Sequence, residues 1–446
     1  MGYLSLTDRD REEMLAAIGV SSVEELFDQI PAGVRLGREL DVEPELTEQE
    51  ITALFERLAV RNAHTGSELS FLGAGIYDHY VPAVVDAVLS RGEFLTAYTP
   101  YQPEMSQGVL QAIFEYQTAI CELTGMDVSN ASGYDGCTVA ADACYIAKHA
   151  TGRTKVVLAE ALNPMVRRVV KTYAPGFGLD VVEVPHRDGA TDPAELAAAA
   201  ADAAAVLFQQ PNFFGVLEDA PALAAAANEA GALSVAHVDL LSLGLLEAPG
   251  AYGSALAIGE GQSAGNYQSY GGPHYGFLAS HTDFIRRLPG RIVGETLDAA
   301  NVRGYVLTLQ TREQHIRREK ATSNMTTNQT LLALAGLVYL SWLGPQGLRE
   351  VGEACTALAQ HARSKLQAAG FELAFPDRST FKEFATRVGR PGHEVVAAAR
   401  ARGVHPGYPL GREFAGLDDV LLVAVTERRT PADVDRLVEV LTEVTS

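Results

Sequence analysis

Two neighbouring segments hold the most structural information in this chain, Ala232-Leu-Ser-Val-Ala-His-Val-Asp239-Leu-Leu241 and Gly261-Gln-Ser-Ala-Gly-Asn-Tyr-Gln-Ser-Tyr-Gly271-Gly-Pro-His-Tyr-Gly276-Phe277. The first is an apolar run that stops at an acid, which predicts a buried strand with Asp239 at its carboxyl end. The second places a polar turn with two glycines and a proline before another apolar run. Ligands bind at the carboxyl ends of strands in open α/β sheets, so we predict a candidate site at His237, Asp239, Gly271 and Gly272.

Apolar runs at 155–158, 180–184, 204–208 and 233–236 are separated by helical patterns. This alternation predicts an α/β domain with a mostly parallel sheet covered on both faces. Before it, residues 6–30 are predicted to be helical, with a second helical stretch beginning near Ser22. A capping-box pattern at Thr47-Glu-Gln-Glu50 predicts another helix that ends near Ala63. A long apolar helix follows Asn328, with a break at Gly344-Pro345. We therefore expect a helical N-terminal arm at 1–65, a large α/β domain at 66–328 and a smaller α+β domain at 329–446.

The composition bounds the class of partner. The chain has 446 residues and a formal net charge of −21. Such acidity argues against nucleic acid and against anionic membrane surfaces as partners. The apolar stretch 331–344 is too short to span a bilayer, the N-terminus has no signal-peptide pattern, and the four cysteines form no Cys-x-x-Cys pair. We expect a cytoplasmic protein with reduced thiols and no metal site.

Two segments near residues 70–108 are rich in Gly, Pro and aromatic residues without helical or strand periodicity. They supply His79, Tyr98, Tyr101 and Gln102. Such a composition suits a rigid loop that lines a polar pocket, and it equally suits a packed loop whose tyrosine hydroxyls find partners. Both interpretations stay open on composition alone.

Three further polar segments are candidates for ligand contact. The loop around Ser132 precedes a helix and could present N–H groups to an anion, but Asp135 in that loop fits a helix cap better. Asn212 follows a strand, where it could contact a ring-shaped cofactor or form a turn. The run Thr322–Gln329, with Ser323, Asn324 and Thr326, could bind an anion or merely cap the apolar helix after it.

The strand that ends in Asp239 and the later Gly-Gly-Pro turn resemble the large domain of pyridoxal-phosphate (PLP) enzymes of fold type I, the aspartate-aminotransferase type. In those enzymes the Asp pairs with the pyridine nitrogen, and a Lys just before the glycines carries the cofactor. Here no Lys lies between Lys171 and Lys320. The resemblance implies the fold without the covalent anchor.

Several segments together resemble the glycine cleavage system P-protein, specifically its N-terminal half, which is a separate subunit 1 in many bacteria. The resemblance covers most of the chain in family order, and the most specific pieces are Tyr98-Thr-Pro-Tyr-Gln-Pro-Glu104 and Ala321-Thr-Ser-Asn324. The other segments are Phe71–Pro82, Glu93–Gly108, Phe114–Tyr134, Gly259–Phe277, Arg318–Gln329 and Val423–Arg428.

The resemblance implies a division of labour. Subunit 2 of the family carries the Schiff-base Lys in a His-Lys-Thr sequence that this chain lacks, so this chain would hold no PLP and would pair with the PLP-bearing subunit in an α2β2 heterotetramer. The assembly would decarboxylate glycine, release CO2 and transfer the aminomethyl group to the lipoyl arm of H-protein. The pocket near the partner would use His79, Tyr98, Tyr101, Gln102, Ser323, Asn324 and Thr326. The unused site on this chain would comprise Ser132, Asn212, His237, Asp239, Gly271 and Gly272.

Two other hypotheses remain. One is a self-sufficient PLP-dependent decarboxylase or transferase with Lys320 as its anchor, although Arg317 and Arg318 would crowd that position. The other is a non-catalytic structural or regulatory subunit. Substitutions in the Tyr-rich loop distinguish a catalytic role from one in assembly alone.

Overall fold

The computed structural model describes residues 5–446, so the first four residues of the predicted arm lie outside the described part. The chain divides into two compact units, Met1–Ala63 and His64–Ser446. The division lies close to the predicted end of the arm at residue 65. The predicted boundary at residue 328 falls inside the second unit and stays a prediction.

The first unit contains two helices, α1 (Asp8–Ile18) and α2 (Glu48–Ala59). The helix predicted over residues 6–30 is shorter than expected, and the second stretch predicted to begin near Ser22 is not α-helical. Gly19 has a φ of +88°, in the left-handed region that glycine tolerates best, and it ends α1. A short 3₁₀ segment, Glu24–Phe27, follows. The capping box at Thr47 is confirmed, since its side chain and that of the third helical residue cap each other's backbone N–H groups.

The second unit holds the remaining helices and all the strands of the described chain. The helices are α3 (Ala83–Leu89), α4 (Gly92–Leu95), α5 (Gln107–Thr124), α6 (Gly136–Thr151), α7 (Pro164–Phe177), α8 (Pro193–Ala200), α9 (Ala220–Glu229), α10 (Gln314–Arg317), α11 (Thr330–Ala368), α12 (Gly392–Arg400) and α13 (Pro431–Thr445). The strands are β1 (Leu69–Ser70), β2 (Val128–Ser129), β3 (Lys155–Ala159), β4 (Asp180–Val184), β5 (His186–Arg187), β6 (Ala190–Thr191), β7 (Ala203–Gln210), β8 (Leu233–Val238), β9 (Leu256–Glu260), β10 (Gly276–Ser280), β11 (Ile292–Leu297), β12 (Arg303–Thr308), β13 (Glu383–Arg387), β14 (Val404–His405), β15 (Tyr408–Pro409) and β16 (Val420–Ala424).

The main sheet has seven strands in the order β2-β10-β9-β8-β7-β3-β4. Pairings among β9, β8, β7, β3 and β4 are parallel, and β10 is antiparallel to both of its neighbours. The predicted mostly parallel mixed sheet is therefore confirmed. Its central strands are apolar on both faces because helices cover both: along β7, Phe208 packs in one core and Leu207 in the other.

A smaller antiparallel sheet, in the order β13-β16-β15, packs with α12, α13 and the second half of α11. It approaches the loop after β7 closely at Gly215, where a Cβ would lie 2.1 Å from the carbonyl oxygen of Glu383. Gly215 also has a φ of +78°, so both the space and the backbone conformation require glycine there. This contact brings β13 to the edge of the main sheet that carries Asp239.

Helix α11 is the one helix of the described chain that is long and apolar enough to cross a bilayer by length and composition. Its first half lies in the core of the second unit, where Ala335 and Tyr339 are each 1% exposed. The helix is also interrupted at Gly344, whose φ is +61° and ψ −177°, which is the break predicted there. Packing in this core therefore accounts for the apolar residues that are buried in its first half.

Candidate functional site

A cavity of about 440 Å³ lies at the carboxyl ends of β7, β8 and β9. His237 and Asp239 from the end of β8, together with Gly271 and Gly272 from the Gly-Gly-Pro turn, stand in its wall, as the sequence predicts. The helix α6 begins at the opposite side of the same cavity. This is the edge of the sheet where α/β folds bind their ligands.

Two of the six residues expected in this site do not line the cavity. The hydroxyl of Ser132 accepts hydrogen bonds from Asn328 Nδ2 and the Gln329 backbone N, both at 3.0 Å, and so fixes the start of α11. The amide of Asn212 donates to Glu218 Oε1 at 2.9 Å and to a backbone carbonyl at 2.7 Å. Both side chains hold loops together, because their polar atoms are already satisfied by the protein.

Asp239 forms a buried ion pair with Lys382, which stands just before β13 in the smaller sheet. The two side chains are 14% and 3% exposed. The Lys382 ammonium also lies 3.6 Å from the centre of the Tyr77 ring, a cation–π contact. Burial alone would raise the pKa of Asp239, but the charge and hydrogen bond of Lys382 outweigh burial and hold that pKa below its ordinary value. The Lys382 ammonium is therefore paired with the same carboxylate that contacts the pyridine nitrogen of PLP in fold type I enzymes.

The ion pair continues into a hydrogen-bonded chain through His79. Lys382 Nζ lies 2.9 Å from His79 Nε2, and His79 Nδ1 lies 2.7 Å from Glu427 Oε2. An ammonium can only donate, so Nε2 accepts and the proton resides on Nδ1, which donates to Glu427. Burial and the charge of Lys382 lower the pKa of His79, which keeps the ring neutral. Burial opposes ionisation of Glu427, but the hydrogen bonds that it accepts from His79 and from the backbone N–H of Tyr80 outweigh burial and hold its pKa below the ordinary value.

Cys355 completes a cluster with His79 and Glu427 whose ligand-type atoms all lie within 4.8 Å of one another. Such a trio has the composition of a metal site. Here the His79 ring already links two charged partners, and burial raises the pKa of the Cys355 thiol well above its ordinary value. The arrangement fits a hydrogen-bonded network that contains its own cation, Lys382.

The residue after Lys382, Glu383, makes a second buried connection to the same loop. It accepts a hydrogen bond from the Tyr77 hydroxyl at 2.6 Å and from the Ala74 backbone N–H at 2.7 Å. Burial raises the pKa of Glu383 to about 7. Lys382 and Glu383 therefore fasten the smaller sheet to the loop that forms one wall of the cavity.

At the α6 side of the cavity, two acids occupy the helix N-terminus. Asp135 is the N-cap residue, and its Oδ1 accepts from the Thr138 backbone N–H at 2.7 Å. Glu260, at the end of β9, accepts from the Gly136 N–H at 2.9 Å. Burial raises the pKa of Glu260 to about 8. The N–H groups of Gly136 and Thr138 at this helix start are thus bound to carboxylates, and the capping role predicted for Asp135 is confirmed.

The Tyr-rich segment and the polar run 322–329 meet on the surface of the second unit. The Tyr98 hydroxyl lies 3.1 Å from Thr327 Oγ1. The Tyr101 hydroxyl accepts from Arg291 at 3.2 Å. Thr326 bonds through its backbone N–H to Tyr134 and through its hydroxyl to Gln314.

The remaining expected pocket residues divide between that surface and the interior. Gln102 and Asn324 are exposed, and Ser323 is partly exposed, with its hydroxyl accepting from the Met325 N–H at 3.1 Å. His79 does not join this group, because its ring is buried against Lys382 and Glu427.

Sequence reasoning did not single out Lys382, Glu383, Glu427 or Glu260. A signal for the first two exists in Phe381-Lys-Glu-Phe384, since adjacent opposite charges between two aromatic residues at the start of a buried strand need partners. Their partners lie far along the chain; His79 and Lys382 are 303 residues apart. No local pattern predicts such a pairing.

Comparisons with known proteins agree with this architecture. The model of the family described as "Glycine cleavage system P-protein" matches residues 1–441. A Moorella thermoacetica protein named "Probable glycine dehydrogenase (decarboxylating) subunit 1" is 48% identical over 439 residues, covering 98% of each chain. A crystal structure titled glycine decarboxylase (P-protein) of the glycine cleavage system, in inhibitor-bound form, superposes with a TM-score of 0.92 at 43% identity, covering 100% of both chains.

More distant structures share the fold alone. A Lactobacillus brevis glutamate decarboxylase superposes with a TM-score of 0.68 at 12% identity over 92% of this chain and 95% of that one. It agrees with the α/β fold of type I that the Asp239 strand and the Gly-Gly-Pro turn predict. Full-length similarity at nearly half identity is far more specific than this shared architecture, and it shows that the chain belongs to the glycine cleavage system P-protein family.

Proposed function

We propose that this chain is subunit 1 of a glycine dehydrogenase (decarboxylating), and that the PLP of the enzyme is bound by a partner subunit. With that partner it decarboxylates glycine, releases CO2 and passes the aminomethyl group to the lipoyl arm of H-protein. The names of full-length relatives support the activity and the existence of a second subunit. The absence of PLP from this chain is supported by its own side chains.

The ion pair between Lys382 and Asp239 is the observation that carries this division of labour. In fold type I enzymes the Asp at this position pairs with the pyridine nitrogen, which PLP chemistry requires as an electron sink. Here a buried ammonium neutralises that carboxylate. Removing Lys382 to admit the ring would leave a buried polar network without its cation, at a large cost in free energy. The residues present therefore do not fit PLP at this end of the cavity.

The α6 side of the cavity does not fit the phosphate of PLP, because acids rather than cations line it. A phosphate would meet Asp135 and Glu260 where it needs free N–H groups or cations. In the described part of the chain, no Lys or Arg lines the cavity. Lys320, the alternative anchor, is exposed and is not among the lining residues. The pyridinium of PLP would thus meet the Lys382 ammonium, and its phosphate would meet the carboxylates of Asp135 and Glu260.

The test is reductive trapping. The purified chain is mixed with PLP, reduced with borohydride and searched by mass spectrometry for a pyridoxyl-lysine; the same experiment on the complex with the partner subunit is the positive control. We expect the label on the partner and no stoichiometric label on this chain. Stoichiometric label on Lys320, or on Lys382 released from Asp239, would overturn the division of labour.

The surface formed by Tyr98, Tyr101 and the run 322–329 is the proposed contact with the partner's active site. The support is its exposure: Tyr98 is 75% and Tyr101 is 48% exposed, although each hydroxyl is held by a hydrogen bond. Exposed, immobilised tyrosines are typical of protein interfaces. We retain Gln102, Ser323, Asn324 and Thr326 in this proposal. The interior contacts of His79 support a different role for it, as a positioning residue for Lys382.

An α2β2 assembly, lipoylated H-protein as a partner and a cytoplasmic location complete the proposal. Size measurement of the two mixed subunits tests the stoichiometry. Release of labelled CO2 from carboxyl-labelled glycine, with lipoylated H-protein present, tests the activity. We expect activity from the mixture and none from this chain alone. Turnover by this chain alone would favour a self-sufficient enzyme, and full turnover by the partner alone would favour a structural subunit.

A further inference from the structure

The cavity beside Asp239 remains open after Lys382 has taken that carboxylate. Its volume of about 440 Å³ falls in the range of about 300–1,000 Å³ that small-molecule sites occupy. Ile76, Tyr77 and Val166 give it apolar walls. Gly271 and Pro273, both exposed, form its rim, so the cavity communicates with solvent.

The polar groups in the cavity are acids and neutral groups. Asp135 and Glu260 stand together at the α6 side, and in the described chain no Lys or Arg lines the cavity to balance them. Asp239 is already paired with Lys382, so its charge is matched from outside the cavity wall. The ionisable groups that have no cationic partner are therefore concentrated at the α6 side, and both are acids.

Two details indicate that a cationic partner is missing there. Burial raises the pKa of Glu260 to about 8, as expected for a carboxyl group that has lost water and gained no counterion. A cation placed beside it would stabilise the ionised form. His237, 8% exposed, also lines the cavity, and its Nε2 has no hydrogen-bond partner in the described chain. Burial lowers the pKa of His237 to about 4, so the ring stays neutral and does not repel a cation.

Gly136 keeps the two acids together. A Cβ at this position would lie 2.7 Å from the backbone N of Glu260, so only glycine allows the start of α6 to approach the end of β9 this closely. The acidic pair is thus built by the fold rather than by mobile surface side chains.

We propose that this cavity binds a primary ammonium group carried on a small apolar or aromatic body, with the ammonium between Asp135 and Glu260 and the body against Ile76, Tyr77 and Val166. An ammonium offers three donors, which suits two carboxylates that still have free acceptor sites. An anionic ligand would meet the carboxylates, and a zwitterion such as glycine would bring its own carboxylate into the same repulsion. The site thus favours a cationic ligand, whereas a phosphate-binding loop favours an anionic one.

The test uses the isolated full-length chain and benzylamine as the probe, because amines would also react with PLP in the complex. Benzyl alcohol is the neutral control and benzoate the anionic control, with affinities measured by calorimetry. One charge-assisted hydrogen bond separates the first two probes, so we expect benzylamine to bind at least about tenfold more tightly than benzyl alcohol. We expect no binding of benzoate. Equal affinity for benzylamine and benzyl alcohol, or preferential binding of benzoate, would overturn the proposal without any variant.

Variants locate the site. Glu260→Gln and Asp135→Asn keep the shape of each side chain, and Asn remains a good N-cap residue, so α6 retains its cap. Each change should weaken benzylamine at least about tenfold and leave benzyl alcohol unchanged, because only the charge is removed. Glu350→Gln, an exposed acid on α11, is the matched control and should change neither affinity. Unchanged benzylamine affinity in both cavity variants would place the amine elsewhere and refute this site.

Different results would refute the ammonium site and the proposed absence of PLP from this chain. A pyridoxyl-lysine on this chain would refute the absence of PLP, whatever benzylamine does. Loss of charge preference with no pyridoxyl-lysine would refute the ammonium site alone. Displacement of benzylamine by inorganic phosphate would show that the α6 side accepts anions and would also count against the ammonium site.

Discussion

Replacement of Lys382 by methionine tests the central feature of the site. Lys382→Met keeps most of the side-chain volume and removes the charge, which leaves Asp239 buried without a counterion and His79 without its donor. The pair is 3% and 14% exposed, and removing one member of a buried ion pair costs about 3–5 kcal/mol. We expect that loss in the free energy of unfolding at pH 7, measured by urea denaturation with circular dichroism.

The chain offers a matched control for the same chemical change. Lys365 pairs with Asp435 at 2.7 Å, but these side chains are 45% and 58% exposed. An exposed pair contributes about 0–1 kcal/mol, so Lys365→Met should fall in that range. The contrast isolates burial, because the residue types exchanged are identical.

A double-mutant cycle completes this prediction. Lys382→Met combined with Asp239→Asn removes both charges, so the double variant should recover much of the stability lost by either single change. We expect a coupling free energy of at least about 2 kcal/mol between the two positions. If Lys382→Met costs less than about 1 kcal/mol, or if the two changes are simply additive, the buried ion pair does not have the role argued for it.

Three further predictions concern other parts of the site. Gly136→Ala should destabilise the chain by about 2 kcal/mol or more, because the new Cβ would lie 2.7 Å from the Glu260 backbone N. Gly176→Ala is the control: its Cβ would meet no atom within 4 Å, so this change should be neutral or slightly stabilising, and thermal unfolding compares the two variants. The hydrogen bonds that Glu427 accepts hold its folded-state pKa below the ordinary 4.5, so this carboxylate adds stability above pH 4.5 that is lost as the pH falls below that value. Glu427→Gln should therefore be less stable at pH 7 and lose less stability between pH 5 and 3 in urea denaturation, and an equal acid dependence in both proteins would contradict this. Tyr98→Ala should lower glycine decarboxylation by the complex without changing its size on gel filtration, and unchanged activity would remove Tyr98 from the pocket.

The sequence predicts the elements of the main sheet well because their patterns are local. The apolar runs at 155–158, 180–184, 204–208 and 233–236 all become strands, and the end of β8 carries Asp239 as expected. Thr47, Asp135 and Gly344 mark helix boundaries through capping chemistry and backbone conformation, which depend on a few adjacent residues. The helix predicted over residues 6–30 is too long for an equally local reason, because Gly19 adopts a left-handed conformation that ends α1.

The partners within the site are not predictable in this way. Asp239 is visible as a strand-end acid, but nothing nearby shows that Lys382 will reach it from a different sheet. The neutral state of His79 depends on that same distant ammonium. Ser132 and Asn212 have the residue types of ligand contacts, yet each finds protein partners first. Side-chain chemistry limits what a residue can do, and long-range packing decides which of those roles it takes.

The occupation of both ends of the cavity by internal charges has an evolutionary consequence. On the proposal that this chain holds no PLP, a cofactor site here would require loss of Lys382, loss of the acids at the start of α6 and gain of a lysine before Gly271. The first of these steps alone removes about 3–5 kcal/mol from a chain whose total stability is on the order of 5–15 kcal/mol, before any benefit arises. Under the proposed division of labour, selection would discard such intermediates, and the subunit without cofactor would not readily become a PLP-binding chain.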